Sequence, residues 1–294
     1  AADGQKTLLL EIPSIMLEDK IRNFRSAIDA ETPNTIELAQ ELYRDLIAPF
    51  SSVIGHRDLL VIPHGPLHYL PFSALSDGQH PLIENHTLRQ LPSASIQKFM
   101  KSRPRPAQQS ALILGNPDLG VAKDDLPSAE EEARAISNTL PSSRILLRSQ
   151  ATETAFKKTA RNYPILHIAS HGEFNAEAAL NSRLRLSPDQ ENDGSLTVNE
   201  LYQLELNADL VTLSACETGL GTILNGDDLV GLNRGFLYAG SRNVIASLWK
   251  VDDEATTLLM QHFYKLLQGG ASVKTALRNA QRQLRKTHPA PFYW

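Results

Sequence analysis

The chain has 294 residues, 41% of them hydrophobic, which is enough for one large domain or two small ones with real cores and excludes a disordered chain. Lysine and arginine number 29 against 33 acidic residues, and the net charge of -4 supplies no field for holding a polyanion, so a direct nucleic-acid partner is not expected. One cysteine can neither close an internal disulfide nor build a cysteine-rich zinc site, which fits a reducing, cytoplasmic setting or a thiol kept free for chemistry.

Taken in chain order, short apolar runs alternate with helical patterns. "TLLLEI" (7–12) reads as a strand, and a helix is expected around 35–49. "DLLVIP" (58–63), "HTLRQL" (86–91) and "ALILGN" (111–116) read as strands, followed by a helix from Ser128, where Ser128 and Glu131 have the spacing of a capping box. "RILL", "PILHIAS", "LVTLSA" and "NVIASLW" continue the strand series, and Asp252 or Asp253 can cap a helix that stops at Gly269 and Gly270. Buried runs of this length separated by helices predict a mostly parallel sheet covered on both faces.

No run reaches the ~20 apolar residues that span a bilayer, so no membrane partner is expected. The start "AADGQKTLLL" lacks the flank and apolar core of a signal peptide, and it lacks an initiator Met, as a piece of a longer chain would. "KSRPRPAQQS" (101–110), rich in proline and charge, is the best place to divide the chain, giving 1–106 and 107–294.

Two strand ends carry reactive side chains. "ILHIAS" delivers His171 and Gly172, and "LVTLSA" delivers Cys216, followed by "ETGLG". In parallel α/β sheets ligands bind beyond the carboxyl ends of strands, so both would emerge on one edge. If the strands are neighbours, ~4.8 Å apart, the thiol and imidazole come within reach. A thiol with a pKa near 8.5 needs such a base to become a nucleophile. Gly172 leaves its backbone N–H able to face an oxyanion, and the Cys216 amide supplies a second donor. Taken alone, a strand-end cysteine is usually a small hydrophobe; the pairing with a histidine strand end is what favours chemistry.

Other motifs carry less. His64 and His68 in "HGPLH" have the spacing of a metal pair, but Gly65 and Pro66 argue against a helix there, and no metal is expected. His167 shares a strand face with Ile165 and Ala169 and reads as a satisfied core histidine. "GLGTILNG" does not fit a dinucleotide loop. Lys274, Arg278, Arg282 and Lys286 form a ridge along the last helix, either solvated or docked on an acidic partner or neighbouring domain.

"LHIASHGEF", "LVTLSACETGLG", "GDDLVGLNRGFLYAGSRNVIASLWKVDDEAT" and "HPAPFYW", with "LLVIPHGPLHYLPFSAL" and "LPSAEEEARAI" upstream, resemble the CHAT domain, a branch of the cysteine peptidases that includes caspases, separase and gingipains. The resemblance implies a caspase-like three-layer α/β/α sandwich with a mostly parallel sheet, an N-terminal pseudo-caspase-like half (1–106) and a catalytic half (107–294). It implies His171 as general base and Cys216 as nucleophile of a His-Cys dyad, the amides of Gly172 and Cys216 as the oxyanion hole, and no cofactor. Relatives usually continue past the position of Trp294 into a further short strand, which implies a trimmed end.

In separase-like relatives an acid in the motif matching "LWKVDD" contacts the basic side chain before the scissile bond, and Asp253 occupies that position; the plainer role for Asp253 is a helix N-cap. Glu217 and Asp228 are further candidates for lining the cleft. The expected function is therefore a cysteine endopeptidase acting on a protein substrate through a thioester, with basic preference and with latency relieved by an activating partner or a fused helical-repeat domain. The alternatives are a silent scaffold that keeps the fold and binds a partner, and a cysteine hydrolase or transferase acting on a small molecule.

Overall fold

The computed structural model describes residues 7–10, 12–91, 110–175, 177–214, 231–249 and 252–294. At its centre lies a five-stranded sheet, β3 (Ala111–Pro117), β4 (Ser143–Arg148), β5 (Ile165–Ala169), β9 (Leu210–Leu213) and β10 (Val244–Ala246), in the order β10-β9-β5-β3-β4. Every neighbouring pair in it is parallel. The strand side chains alternate: Ala111 and Ile113 belong to one buried cluster, Leu112 and Leu114 to another.

On the first face pack α5 (Pro127–Thr139), α9 (Asp253–Gln268) and α10 (Val273–Leu284), with Ile136, Phe263 and Ala276 filling the gap. On the second face lie α6 (Glu153–Thr159), α7 (Val198–Leu201) and α8 (Gly231–Tyr238), with Phe156, Leu201 and Phe236. A small antiparallel sheet, β6 (Gly172–Glu173), β7 (Arg183–Arg185) and β8 (Ser195–Thr197), is attached to this side. This is the expected three-layer α/β/α sandwich with a mostly parallel sheet.

The N-terminal segment contributes α1 (Ser14–Asp29), α2 (Thr35–Leu46), the single turns α3 (Ser51–Ile54) and α4 (Leu82–Asn85), and a parallel pair β1 (Leu59–Val61) and β2 (Leu88–Gln90). Its core joins Ile21, Phe24 and Leu42 to Trp249, Leu284 and Trp294 from the far end of the chain.

Several expectations need correction. Thr7–Leu10 form no strand, and Leu9 is 92% exposed; an apolar run is not enough where, among the described residues, no strand pairs with it. The first regular element is instead α1, whose Ile21, Phe24 and Ile28 recur at helical spacing. The helix expected from Ser128 begins one residue earlier with Pro127 in its first turn, and Ser128 makes no capping bond. Gly65–Tyr69 do form a short 3-10 helix, and His68 is buried in it. The division expected near 101–110 lies outside the described residues.

Three of the four cations of the C-terminal ridge dock within the chain, while Lys286 stays exposed and donates to Gln283 Oε1 at 2.9 Å. Lys274 pairs with Asp58, Arg278 Nε donates to the carbonyl of Ile83 at 2.7 Å, and Arg282 Nε donates to Glu84 Oε2 at 2.6 Å. Arg285, just past the end of α10, joins the same carboxylate, so one glutamate on α4 gathers two guanidinium groups. Among the described residues, no helix is long and apolar enough to cross a membrane.

Candidate active site

The carboxyl edge of the sheet is built by the segments that follow β3 and β5. Asn116, near the end of β3, has a φ of +48°, a left-handed conformation that asparagine tolerates better than most residues. Its buried side chain holds the next loop at both ends of its amide: Oδ1 accepts from the Leu126 N–H at 2.8 Å, and Nδ2 donates to Asp125 Oδ1 at 3.0 Å. The Asn116 contact also draws the Asp125 carboxyl below its ordinary range, and Arg148 adds to this. The loop so held carries Asp124.

His171 stands two residues beyond β5, half-buried, with Nε2 2.9 Å from the backbone carbonyl of Asp124. A carbonyl only accepts, so Nε2 is the protonated nitrogen, and in the neutral ring Nδ1 carries the free lone pair. The carbonyl thus orients the imidazole as a third group would in a triad. Sequence reasoning required no such partner, and a backbone atom leaves no signature in the residue code.

Gly172 opens β6 opposite Leu184. The Arg185 N–H donates to the His171 carbonyl at 2.8 Å, which makes Gly172 and Leu184 the pair that exchanges no ladder bonds. The Gly172 N–H therefore faces away from β7. Beside it, Glu173 is gripped by Arg183 and Arg185, and a polar groove of about 870 Å3 runs past Glu173, Asn175, Arg183 and Asn192.

On the neighbouring strand β9 each partner of a β5 residue stands 45 positions further along, as in Ile165 with Leu210 and Ile168 with Leu213. The ladder continues one residue more, with the Ser214 N–H donating to the Ile168 carbonyl at 2.9 Å. Cys216, Glu217 and Asp228 lie outside the described residues.

Asp253 is the first residue of α9 and is exposed. The cap is its neighbour: Asp252 Oδ1 accepts from the Ala255 N–H at 2.8 Å. The plain structural job proposed for Asp253 is thus already filled.

Replacing Asn116 with alanine should cost about 2 kcal/mol, because it leaves the Leu126 N–H without its acceptor and puts a less tolerant residue at positive φ. Denaturant unfolding reads this; an unchanged midpoint would show that the Asp124 loop keeps its place without the asparagine.

A family model described as the CHAT domain matches residues 36–294. Tetratricopeptide repeat protein 28 of Mus musculus is 28% identical over 312 residues, an alignment covering 86% of this chain and 13% of that protein. Tetratricopeptide repeat protein 28 of Homo sapiens is also 28% identical over 312 residues, covering 86% of this chain and 12% of its own length. The chain therefore spans only a small part of both relatives.

Proposed function

This chain belongs to the CHAT domain family, and from that premise we propose that it is a cysteine endopeptidase with His171 and Cys216 as its dyad. The observation that carries the proposal is the pairing of β5 with β9: the 45-position offset of their ladder is also the separation of His171 from Cys216. Counted onward, the same offset matches the two reactive positions.

The chemistry follows from the groups. Cys216 gives its proton to His171 Nδ1, the nitrogen left free by the Nε2–H bond to Asp124, and the thiolate attacks the scissile carbonyl. The oxyanion is received by the Gly172 N–H, which is turned off the β7 ladder, and by the Cys216 amide. The imidazolium returns its proton to the departing amine, and it then draws a proton from the water that hydrolyses the thioester. No cofactor enters these steps. The need for a reduced thiol favours a cytoplasmic setting.

Asp253 is proposed to select arginine or lysine before the scissile bond, since its carboxylate is exposed and does no capping work. Glu217 and Asp228 are proposed as further lining groups. The chain is proposed to divide into a pseudo-caspase-like half (1–106) and a catalytic half (107–294). The relatives' name denotes helical repeats, and this chain covers 13% and 12% of them, which supports a fused helical-repeat domain that controls the peptidase.

Cleavage-site profiling by mass spectrometry, with a peptide library and a Cys216→Ala control, tests the proposal. Products ending in arginine or lysine and absent from the control are expected. Identical peptide profiles from both proteins, with the full-length chain and its partner present, would favour the scaffold reading.

A further inference from the structure

Behind the carboxyl edge, in the layer between the sheet and α5, a line of polar side chains crosses the apolar core. Glu132 on α5 is 5% exposed, and its Oε2 accepts from the Ser214 hydroxyl at 2.8 Å. Its Oε1 lies 3.4 Å from His167 Nε2 on β5. Neither of these last two atoms has a hydrogen-bond partner among the described residues. His167 Nδ1 is 3.2 Å from the Tyr264 hydroxyl on α9, which donates to Thr212 Oγ1 at 2.9 Å.

The line needs one proton more than a neutral His167 and an ionised Glu132 supply between them. Tyr264 donates to Thr212, so its oxygen is the acceptor for His167 Nδ1–H. That leaves Nε2 as a bare lone pair, facing an equally bare carboxylate oxygen. Two acceptors 3.4 Å apart repel, and a single proton on Glu132 Oε1 turns them into donor and acceptor. Burial acts the same way on both, raising the Glu132 carboxyl to about 8 and holding the His167 imidazole down to about 3.

We propose that Glu132 is a positioning residue for the catalytic edge: it carries one proton shared toward His167, and through Ser214 it fixes the end of β9 two residues before Cys216. This rests on the reading of Cys216 as the nucleophile. The ionisable groups around Glu132 are consistent with it. Among the described residues they are His167 from β5, with Tyr264 and Asp253 from α9, and the charge of Asp253 further disfavours an ionised Glu132. β3 contributes no ionisable side chain, while on β4 Arg144 is exposed and Arg148 pairs with Asp125.

The pH dependence has a definite sign. Glu132 binds its proton more tightly folded than at its ordinary 4.5, so stability falls as pH rises from there to about 8. His167 binds its proton more weakly than at its ordinary 6.5, so stability rises from about pH 3 to that value. Between 4.5 and 6.5 the two slopes oppose each other, and above 6.5 only the loss from Glu132 remains.

The test compares wild type, Glu132→Gln and Ser214→Ala. Glutamine reproduces the protonated carboxyl, donating to His167 and accepting from Ser214, but cannot ionise. Alkylation of Cys216, the sole cysteine, by iodoacetamide is measured from pH 6 to 9 beside melting temperature. The expected result is a Glu132→Gln rate within about twofold of wild type at pH 6.5 and a ratio that changes by threefold or more by pH 9, with the wild-type melting temperature falling above 6.5 and the variant's holding. Ser214→Ala removes the bond that favours the charged form and should move the wild-type transition to higher pH. A wild-type to Glu132→Gln ratio that stays constant across the range would overturn the proposal. Alkylation needs no substrate, so a full-length protein that hydrolyses nothing even with its activating partner present would defeat the peptidase reading, while the alkylation ratio would still decide the role of Glu132.

Discussion

Replacing Cys216 with alanine is expected to abolish peptide hydrolysis, a loss on the order of 10^4-fold or more, because no other group can form the acyl intermediate. His171→Ala should lose a similar factor. The two losses should not add if the proposed nucleophile and base act as one unit: the double variant should be no slower than either single one. His171 stands beyond the end of β5 and belongs to neither apolar cluster of the sheet, and Cys216→Ala changes one small side chain, so melting temperatures should stay within about 2 °C of wild type. Steady-state rates with a cleavable peptide, measured beside thermal melts, check this. A Cys216→Ala protein that retained the wild-type rate would remove the cysteine from the mechanism.

The largest effect on stability is expected at Phe156. This ring is 0% exposed and meets Phe236 edge-on, with centroids 6.4 Å apart and planes at 88°. It joins α6 to α8, the helix that begins at Gly231 and returns the chain to the sheet. Phe156→Ala removes a large apolar surface and leaves a cavity that a close-packed sandwich cannot collapse, at a cost of about 3–5 kcal/mol. For a chain of this size that corresponds to a fall in melting temperature on the order of 10 °C. Phe156→Leu, which fills most of the volume, should recover more than half of it. A loss below about 1 kcal/mol for the alanine variant would mean that α6 and α8 are not held by this pair.

The central sheet could be read from the chain because its inner strands β3, β5 and β9 are buried on both faces and therefore appear as apolar runs, while the edge strands β4 and β10 are only partly buried. The same rule fails at Thr7–Leu10, where an apolar run meets no partner strand among the described residues. The helix caps show a related limit. Asp252 and Asp253 are equivalent in sequence, and only the path of the backbone assigns the capping bond to Asp252. At α5 the capping box suggested by Ser128 and Glu131 gives way to Asn116, a residue distant in sequence that secures the Leu126 N–H instead.

Within the site, His171 and Gly172 stood out because a strand delivers them. The carbonyl of Asp124 did not, since a main-chain oxygen carries no residue-specific mark. Glu132 was hidden among three consecutive glutamates, Glu130 to Glu132, that look alike as a charged helix start. A signal was nevertheless present: Glu132 stands four residues before Ile136, on the stripe that faces the sheet. His167 was recognised as a core residue from its strand alternation, but which polar groups would face it depended on how α5 and α9 pack across the sheet.

The measurement that tests the central claim most directly is mass spectrometry of the full-length protein after exposure to a peptidyl-arginine acyloxymethyl ketone, beside its aspartate analogue. The account predicts a single adduct on Cys216 that forms with the arginine probe and is lost in His171→Ala. Labelling that is indifferent to His171, or none on Cys216 even with the activating partner present, would contradict an assembled His-Cys site.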